Sequence, residues 1–233
     1  MTAPSFKTAF IVGAGTGLSA SLARVLRAAG LNVALAARNV RKLDELAAET
    51  GALAITADAA DPASVAEAFA EVDTRLGPPD FVVYNASGRV RGPLIDLDPA
   101  EVHGSLEVSA YGGFLVAQHA ARRMLARGSG AIFFTGASAS VKGYPQSAPF
   151  AMGKFALRGL AQSMARELAP RGIHVAHFVI DGGIRGAARP GPADVEDSLL
   201  DPDAIARTYL HVLRQDRSAW TWEIELRPWV ERF

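Results

Sequence analysis

Cysteine is absent from the 233-residue chain, which excludes disulfides and thiolate metal sites. A surplus of charge is also absent, because 24 Lys and Arg residues balance 24 Asp and Glu residues. A neutral chain lacks the electrostatic attraction that nucleic acids and anionic membrane surfaces require, so we expect neither as a partner. No apolar run of about 18 residues occurs, and the first residues do not have the pattern of a signal peptide. We therefore expect a cytoplasmic protein.

Short apolar runs alternate with longer stretches of helical periodicity along the chain. The predicted strands are residues 9–12, 33–36, 53–57, 81–84, 131–135, 174–180 and, at a sheet edge, 219–226. Asp61 and Asp98, each followed by proline, are predicted helix N-caps, Gly30 is a predicted helix end, and the longest helix should end near Pro170. Strands that are apolar on both sides are typical of sheets covered by helices on both faces. The pattern predicts an α/β fold with a doubly wound parallel sheet in one domain, residues 1–233.

A glycine-rich turn joins the first predicted strand to the first predicted helix. It contains Gly13, Gly15 and Gly17, with Thr16 between the last two and Leu18 after them. Glycine permits positive φ angles and close approach of a phosphate, and a helix N-terminus offers free N–H groups to negative charge. The alternative interpretation is a tight turn without a ligand, but the position within a strand–helix–strand unit favours nucleotide binding.

The end of the second predicted strand favours one nicotinamide cofactor over the other. An acidic residue at this place binds the free ribose hydroxyls of NAD, and Ala37 cannot do so. Arg38 can instead pair with the 2′-phosphate of NADP, because a guanidinium binds phosphate well. We therefore predict a preference for NADP(H), against the alternative of a solvated surface arginine.

In the order and spacing of its motifs, the chain resembles the short-chain dehydrogenase/reductase family. The resemblance rests on the glycine turn, on Asp58 after the third strand, on the segment 85–88 (Asn-Ala-Ser-Gly) and on the segment 154–157 (Lys-Phe-Ala-Leu). It implies a Rossmann-like sheet, a bound NAD(H) or NADP(H), a small-molecule substrate and a homodimer or homotetramer. The cofactor-binding residues that it implies are Gly13, Gly15, Thr16, Gly17, Leu18, Arg38, Asp58, Ala59, Asn85, Ala86, Ser87, Lys154, Gly182 and Ile184.

Three of the four catalytic positions that the resemblance assigns carry unusual residues. The family's general acid/base Tyr stands four residues before a Lys; here Lys154 is present, but the earlier position is Phe150. Ala137 occupies the position of the family's Ser, and Ser109 occupies that of its helix Asn. Because Phe150 has no hydroxyl, a different group must supply the proton if carbonyl chemistry occurs at this site.

Three side chains are candidates for that missing proton donor. Lys154 can donate a proton if burial lowers its pKa, and Ser138 can polarise an oxygen from the position next to Ala137. Tyr144 lies on the loop that faces substrate in the family, with packing as its alternative role. Reduction of an activated alkene needs less help from an acid, because solvent can protonate carbon later.

Two functions follow from this pattern. The first is an NADP(H)-dependent oxidoreductase acting on a small carbonyl, alcohol or activated alkene with an atypical proton donor. The second is a catalytically inactive NADP(H)-binding regulator or structural subunit. The glycine-rich segment 182–192 is the best loop candidate near substrate, and Trp229 and Phe233 suggest either a subunit contact or packing onto the body. The five histidines lack metal-ligand spacing and are predicted on strands (His174, His177) or helices (His103, His119, His211), so we expect no metal.

Overall fold

A seven-stranded parallel sheet forms the centre of the molecule in a computed structural model, which describes residues 6–186, 189–191 and 197–231. The strands are β1 (Thr8–Val12), β2 (Asn32–Ala37), β3 (Leu53–Thr56), β4 (Phe81–Tyr84), β5 (Gly130–Thr135), β6 (Ile173–Ile180) and β7 (Glu223–Leu226). The helices are α1 (Leu18–Ala28), α2 (Asp44–Thr50), α3 (Pro62–Leu76), α4 (Pro99–Leu106), α5 (Gly112–Arg127), α6 (Ala148–Leu168) and α7 (Pro202–Leu213). The strand order β3-β2-β1-β4-β5-β6-β7 confirms the predicted doubly wound α/β fold.

Each face of the sheet packs against its own set of helices. Because successive side chains of a strand point to opposite faces, Ile11 joins one core while Phe10 joins the other. The core on one face contains buried side chains of α1 and α7, and that on the opposite face contains buried side chains of α3, α5 and α6. The continuous apolar runs of the sequence are explained by this double coverage.

Helix boundaries follow local side-chain chemistry where the sequence indicated them. The carboxylate of Asp61 accepts hydrogen bonds from two backbone N–H groups at the start of α3, and Asp98 accepts one at the start of α4. Gly30 follows the end of α1 with φ of +91°, which only glycine adopts easily. Helix α6 ends at Leu168, close to Pro170 as predicted.

The predicted edge strand differs from the observed one. Residues 217–219 form a short 3₁₀ turn, and β7 begins only at Glu223. The Asp216 carboxylate caps this turn by accepting from the backbone N–H of Ser218, and the Trp220 indole donates to the carbonyl oxygen of Gln215. These local bonds fold the first residues of the alternating pattern into a turn, so only its second half pairs with β6.

The strand order reverses between β1 and β4, and this reversal positions the site. The chain leaves β1 toward β2 on one side, whereas β4 pairs with β1 on the other side. The loops after these two strands therefore diverge and leave a crevice at their carboxyl ends, where doubly wound sheets bind ligands. Gly13 and Asn85 are the first residues after the two strands and lie on either side of this crevice.

Candidate active site

One cleft runs along the carboxyl ends of the strands, and we describe it in two halves. The β2–β3 half has a volume of about 400 Å³ and is lined by residues that follow β1, β2, β3 and β4. The β5–β6 half has a volume of about 780 Å³ and is lined by the glycine turn and by residues that follow β4, β5 and β6. The halves share Gly13, Gly15 and Asn85, so they meet over the glycine turn.

The glycine turn is held in shape by backbone and side-chain hydrogen bonds. The N–H of Gly13 donates to the carbonyl oxygen of Ala36, and a Cβ on Gly13 would overlap the backbone of Ala86. The amide nitrogen of Asn85 donates to the carbonyl oxygen of Gly13 (3.1 Å) and to the hydroxyl of Ser19 (2.9 Å). Ser19, which stands where the family has its last glycine, thereby fastens α1 to the segment after β4.

Open space lies above the remaining glycines of this turn. Gly15 and Gly17 line the cleft, and a Cβ on either would meet no atom within 4 Å. Helix α1 begins at the next residue, Leu18, without a side-chain cap on its first N–H groups. Uncapped N–H groups facing free space fit the diphosphate of a dinucleotide, which satisfies them and interacts favourably with the helix dipole.

The β2–β3 half brings two cations to the end of β2. Arg38 and Lys42 both line it, together with Asn39, and Ala37 ends the strand. The backbone following β3 contributes Asp58, whose carboxylate accepts a hydrogen bond from the N–H of Ala60. The sequence did not indicate Lys42, because a lysine in a charged helical stretch is usually solvated; only the short 3₁₀ turn at Val40–Leu43 directs it here.

Every predicted cofactor residue except Lys154 lines the cleft. Those of the β2–β3 half are Arg38, Asp58, Ala59, Ala86 and Ser87, those of the β5–β6 half are Thr16, Gly17, Leu18, Gly182 and Ile184, and those of both are Gly13, Gly15 and Asn85. Their convergence from five separate segments agrees with the predicted location of the cofactor, although their individual roles stay predictions.

Lys154 lies directly beneath the β5–β6 half. Its ammonium group is buried and donates to the carbonyl oxygen of Thr135 at 2.7 Å. Burial lowers the pKa of Lys154 to about 8, and the charge of Arg89 lowers it as well. A lysine with a pKa near 8 holds or releases a proton close to neutral pH, which ordinary lysines do not.

Phe150 stands one helical turn before Lys154, so its ring lies on the same side of α6. The ring lines the β5–β6 half beside Ala137 and Ser138, as the register of the motif predicts. Two cations lie near the ring, with Lys154 Nζ 5.9 Å and the Arg89 guanidinium carbon 4.8 Å from its centroid. The aromatic face therefore contacts positive charge where the family has a phenolic hydroxyl.

Ser109 has a structural role at the position of the family's asparagine. It lies in a π-helical turn, Glu107–Tyr111, which connects α4 to α5. Its hydroxyl is fully buried, accepts from the N–H of Gly88 (2.9 Å) and donates to the carbonyl oxygen of the same residue (3.3 Å). A Cβ on Gly153 would overlap the Ser109 side chain, so the two helices touch here. Ser109 is not part of the cleft lining.

The candidate proton donors are not equally placed. Ser138 lines the β5–β6 half next to Ala137. Tyr144 is 42% exposed and belongs to neither half of the cleft as the described residues form it; the ammonium of Lys142 lies 5.9 Å from its ring centroid.

Asp181 replaces the family's proline at the end of β6, and its carboxylate is buried. It pairs with Lys142 and with Arg227, both at 3.3 Å, and these two ion pairs join three segments at the cleft rim. Gly182 then adopts φ of +148° against Pro228. The predicted loop 182–192 is described only in part, because residues 187, 188 and 192 lie outside the described residues, as does Phe233.

Three arginines of the β5–β6 half were not identified from the sequence. Arg89 follows β4, whereas Arg185 and Arg189 follow β6. Each is isolated in sequence from the motifs, and a surface arginine is ordinarily solvated, so no local signal was available. Arg185 forms an ion pair with Asp201 at the start of α7.

The two buried sheet histidines have structural surroundings. His177 Nδ1 lies 3.1 Å from Glu223, and burial lowers the pKa of His177 to about 4. His174 stacks on Trp220 and bonds the carbonyl oxygen of Thr221. Among the described residues, no group of three His, Asp or Glu side chains is arranged to hold a metal ion. No helix in the described part of the chain is long and apolar enough to cross a membrane.

Comparison with known proteins agrees with this geometry. The pattern of the short chain dehydrogenase family matches residues 7–187. A short-chain dehydrogenase from Rhodopseudomonas palustris has a similar structure, with 35% identity, a TM-score of 0.83 and coverage of 97% of this chain and 100% of that one.

Two further relatives cover nearly the whole chain. An alcohol dehydrogenase from the archaeon Thermococcus sibiricus, solved with 5-hydroxy-NADP, is 26% identical with a TM-score of 0.86 over 98% of this chain and 99% of that one. An uncharacterised oxidoreductase of Staphylococcus aureus is 27% identical over 98% of this chain and all of its own length. The chain belongs to the short-chain dehydrogenase/reductase family, whose members are NAD(P)-dependent oxidoreductases.

Proposed function

We propose that the chain is an NADP(H)-dependent oxidoreductase that acts on a small carbonyl, alcohol or activated alkene. This proposal rests on the residues at the end of β2. Arg38 and Lys42 line the cleft there, and Ala37 stands where an acidic residue would bind the ribose hydroxyls of NAD. Two cations favour a 2′-phosphate, since a guanidinium pairs with phosphate through parallel hydrogen bonds and an ammonium adds charge. The solved relative with an NADP analogue supports the same cofactor class.

The cofactor supplies or accepts a hydride, and this chain must hold the reacting oxygen and move a proton. Ser138 lines the cleft beside Phe150 and holds the oxygen with its hydroxyl. Lys154 supplies the proton, because its lowered pKa of about 8 lies close to working pH and its ammonium is bonded at 2.7 Å to the carbonyl oxygen of Thr135, which lines the cleft. Tyr144 is exposed outside the lining and has no such contact with it. In carbonyl reduction the ammonium gives its proton to the developing alkoxide and regains one from solvent.

A second candidate function is a regulator or structural subunit that binds NADP(H) without turnover. The observation that favours it is the combined loss of hydroxyl groups at Phe150 and Ala137 and the engagement of Ser109 with backbone. Such a protein requires the β2–β3 half of the cleft for binding but does not require Lys154 as an acid. Turnover of any substrate decides between the two functions.

The assembly and location of the chain are part of the proposal. We expect the chain to be a single domain that assembles into a homodimer or homotetramer in the cytoplasm. Apolar side chains on neighbouring helices support a subunit contact: Tyr111 and Phe114 stack near the start of α5, while Met152 and Phe155 are half-exposed on α6. Trp229 is 80% exposed near the end of the chain, so packing onto the body does not account for it.

Calorimetric titration with NADPH and NADH, followed by a carbonyl and enone panel, tests the cofactor. We expect tighter binding of NADPH, and we expect Arg38→Asp to weaken NADPH binding by roughly 10- to 100-fold while NADH binding changes little. Arg41→Asp is the matched control, because Arg41 is exposed in the 3₁₀ turn that follows Arg38 and does not line the cleft. An unchanged preference in Arg38→Asp, or an equal loss in both variants, contradicts the assignment of NADP(H).

A further inference from the structure

The β5–β6 half of the cleft has a strongly one-sided charge. Its described lining contains three arginines, Arg89, Arg185 and Arg189, and no Asp or Glu. The chain as a whole is neutral, so this concentration of positive charge is local. Charges of one sign lining a cleft raise the local concentration of the opposite ion, and the partner they fit is an anion.

Arg89 is the arginine closest to the place of reaction. Its guanidinium covers the face of Phe150, the residue at the family's general acid/base position, at 4.8 Å from the ring centroid. The same charge acts on Lys154, because it lowers the pKa of that ammonium. Arg89 thus lies beside the family's general acid/base position, whereas the uncapped start of α1, where a cofactor diphosphate fits, follows Gly17.

The positive charges around Arg89 repel one another. Arg89 is exposed, but partial desolvation of its guanidinium lowers its pKa, and so do the neighbouring charges of Arg91 and Arg189. Arg185 is compensated by its ion pair with Asp201. Within the described residues, no carboxylate lies within ion-pair distance of Arg89 or Arg189. Like charges held together on a binding surface are relieved when an anion binds between them.

We propose that Arg89, supported by Arg189, binds an anionic oxygen group of the substrate, a carboxylate or a phosphate, beside the reacting carbon. The inference rests on the proposed function and narrows its substrates to small oxo acids, hydroxy acids or enoates, or to their phosphorylated counterparts. The planar guanidinium over Phe150 offers paired N–H donors to such a group, while Ser138 lies on the same cleft wall to hold the reacting oxygen. Phenylalanine at position 150 then has a use: its apolar face orients the guanidinium that recognises the substrate.

Titration with two probe anions tests this site. Oxalate and inorganic phosphate are titrated separately, at constant ionic strength in chloride, into the free protein and into the protein saturated with NADPH. Saturable binding is expected in the NADPH-saturated protein, and Arg89→Gln should weaken it by roughly 10- to 100-fold. Arg189→Gln should weaken binding less. The probe with the higher affinity, oxalate or phosphate, shows whether the substrate's anionic group resembles a carboxylate or a phosphate.

Arg91→Gln is the matched control. Arg91 is exposed two residues from Arg89 on the same segment and adds charge near it but does not line the β5–β6 half, so the variant should weaken the binding of oxalate and phosphate much less than Arg89→Gln does. Arg89→Lys retains the charge without the paired donors and should fall between wild type and Arg89→Gln. Absent anion binding, or equal binding in Arg89→Gln and Arg91→Gln, overturns the proposal.

The proposed function fails separately from this inference. Loss of NADPH binding in the wild-type protein overturns the proposed cofactor, yet the titration of the free protein with oxalate and phosphate still decides whether Arg89 forms an anion site. If NADPH binds and supports turnover of neutral ketones while neither anion binds, the proposed function stands and the anion site is wrong.

Discussion

The two halves of the cleft share a glycine turn but differ in how their side chains are used. In the β2–β3 half, the predicted residues Arg38 and Asp58 lie where the family's pattern places them. In the β5–β6 half, Phe150 and Ala137 leave a wall without the family's hydroxyl groups, and Arg89 covers the aromatic ring instead. The β2–β3 half is lined by residues predicted to bind a nucleotide, whereas the β5–β6 half lacks the family's hydroxyl groups at Phe150 and Ala137 and is lined by arginines.

This difference shows that binding and chemistry depend on different parts of the same fold. A dinucleotide is bound by backbone N–H groups in the crevice that the reversal of strand order leaves. Both features persist when many side chains are changed. Proton transfer depends on single groups with a suitable pKa. Lys154 is the one residue that the β5–β6 half retains beneath its wall from the family's catalytic pattern, and its pKa of about 8 suits acid–base chemistry.

The largest expected effect comes from removing the buried ammonium of Lys154. We expect Lys154→Met to lower kcat for carbonyl reduction at saturating NADPH by at least about 100-fold, the usual contribution of a general acid. Because the acid must be protonated to react, the wild-type rate should be constant below pH 8 and fall above it as Lys154 loses its proton. Steady-state kinetics from pH 6 to pH 10 measure both effects.

Two variants show whether another group is the donor. Lys7→Met removes an exposed ammonium that precedes β1 and lies outside the cleft lining, so it should change kcat little. Tyr144→Phe should leave the rate and its pH profile intact, because that phenol is not part of the cleft lining. Loss of activity in Tyr144→Phe with a normal rate in Lys154→Met would reverse the assignment.

A smaller effect is expected from restoring the family's phenol with Phe150→Tyr. The new hydroxyl would lie near Lys154 and Arg89, and both cations would lower its pKa and favour proton transfer. We expect kcat for neutral ketones to rise about tenfold, less than a full general acid provides because Arg89 covers the ring.

Phe155→Tyr is the control for that change. Phe155 lies on the same helix and is 45% exposed, so its variant adds the same hydroxyl away from the cleft and should not alter the rate. If Phe150→Tyr leaves kcat unchanged while NADPH still binds, the β5–β6 half lacks more than a proton donor, and the regulator or structural-subunit function is favoured.

A third expected effect concerns the stability of the fold at low pH. Burial lowers the pKa of His177 to about 4, below its ordinary value of 6.5, so the folded state favours the neutral ring. That preference stabilises the fold fully above pH 6.5 and is lost as the pH falls from 6.5 toward 4. Between pH 7 and pH 5, we expect the free energy of unfolding of His177→Gln to fall by about 2 kcal/mol less than that of the wild type.

Chemical denaturation at pH 7 and pH 5 measures this difference. His103→Gln is the control, because its imidazole is 75% exposed on α4 and should follow the wild type. Equal losses in wild type and His177→Gln would show that the buried ring is not the group whose protonation weakens the fold at low pH.

Much of the lining of the β2–β3 half could be predicted because its signals are local. Gly13 and Gly15 follow one strand directly, and Arg38 follows the next, so neighbours in sequence are neighbours in this lining. The absence of hydroxyl groups at Phe150 and Ala137 was equally visible, because their spacing from Lys154 is fixed by the chain. The late start of β7 was not, since turn bonds to Asp216 compete with pairing.

The sequence by itself determined the alternation of strands and helices, the position of the glycine turn and the loss of the family's tyrosine. Only the tertiary structure decided that Arg89 joins Arg185 and Arg189 over one cleft and that Tyr144 does not line it. The physical reason is the sheet order: β4 and β6 lie on either side of β5, so the segments that follow them approach each other although about 90 residues separate them along the chain. A local pattern carries no information about which distant loops meet, and packing of the sheet supplies it.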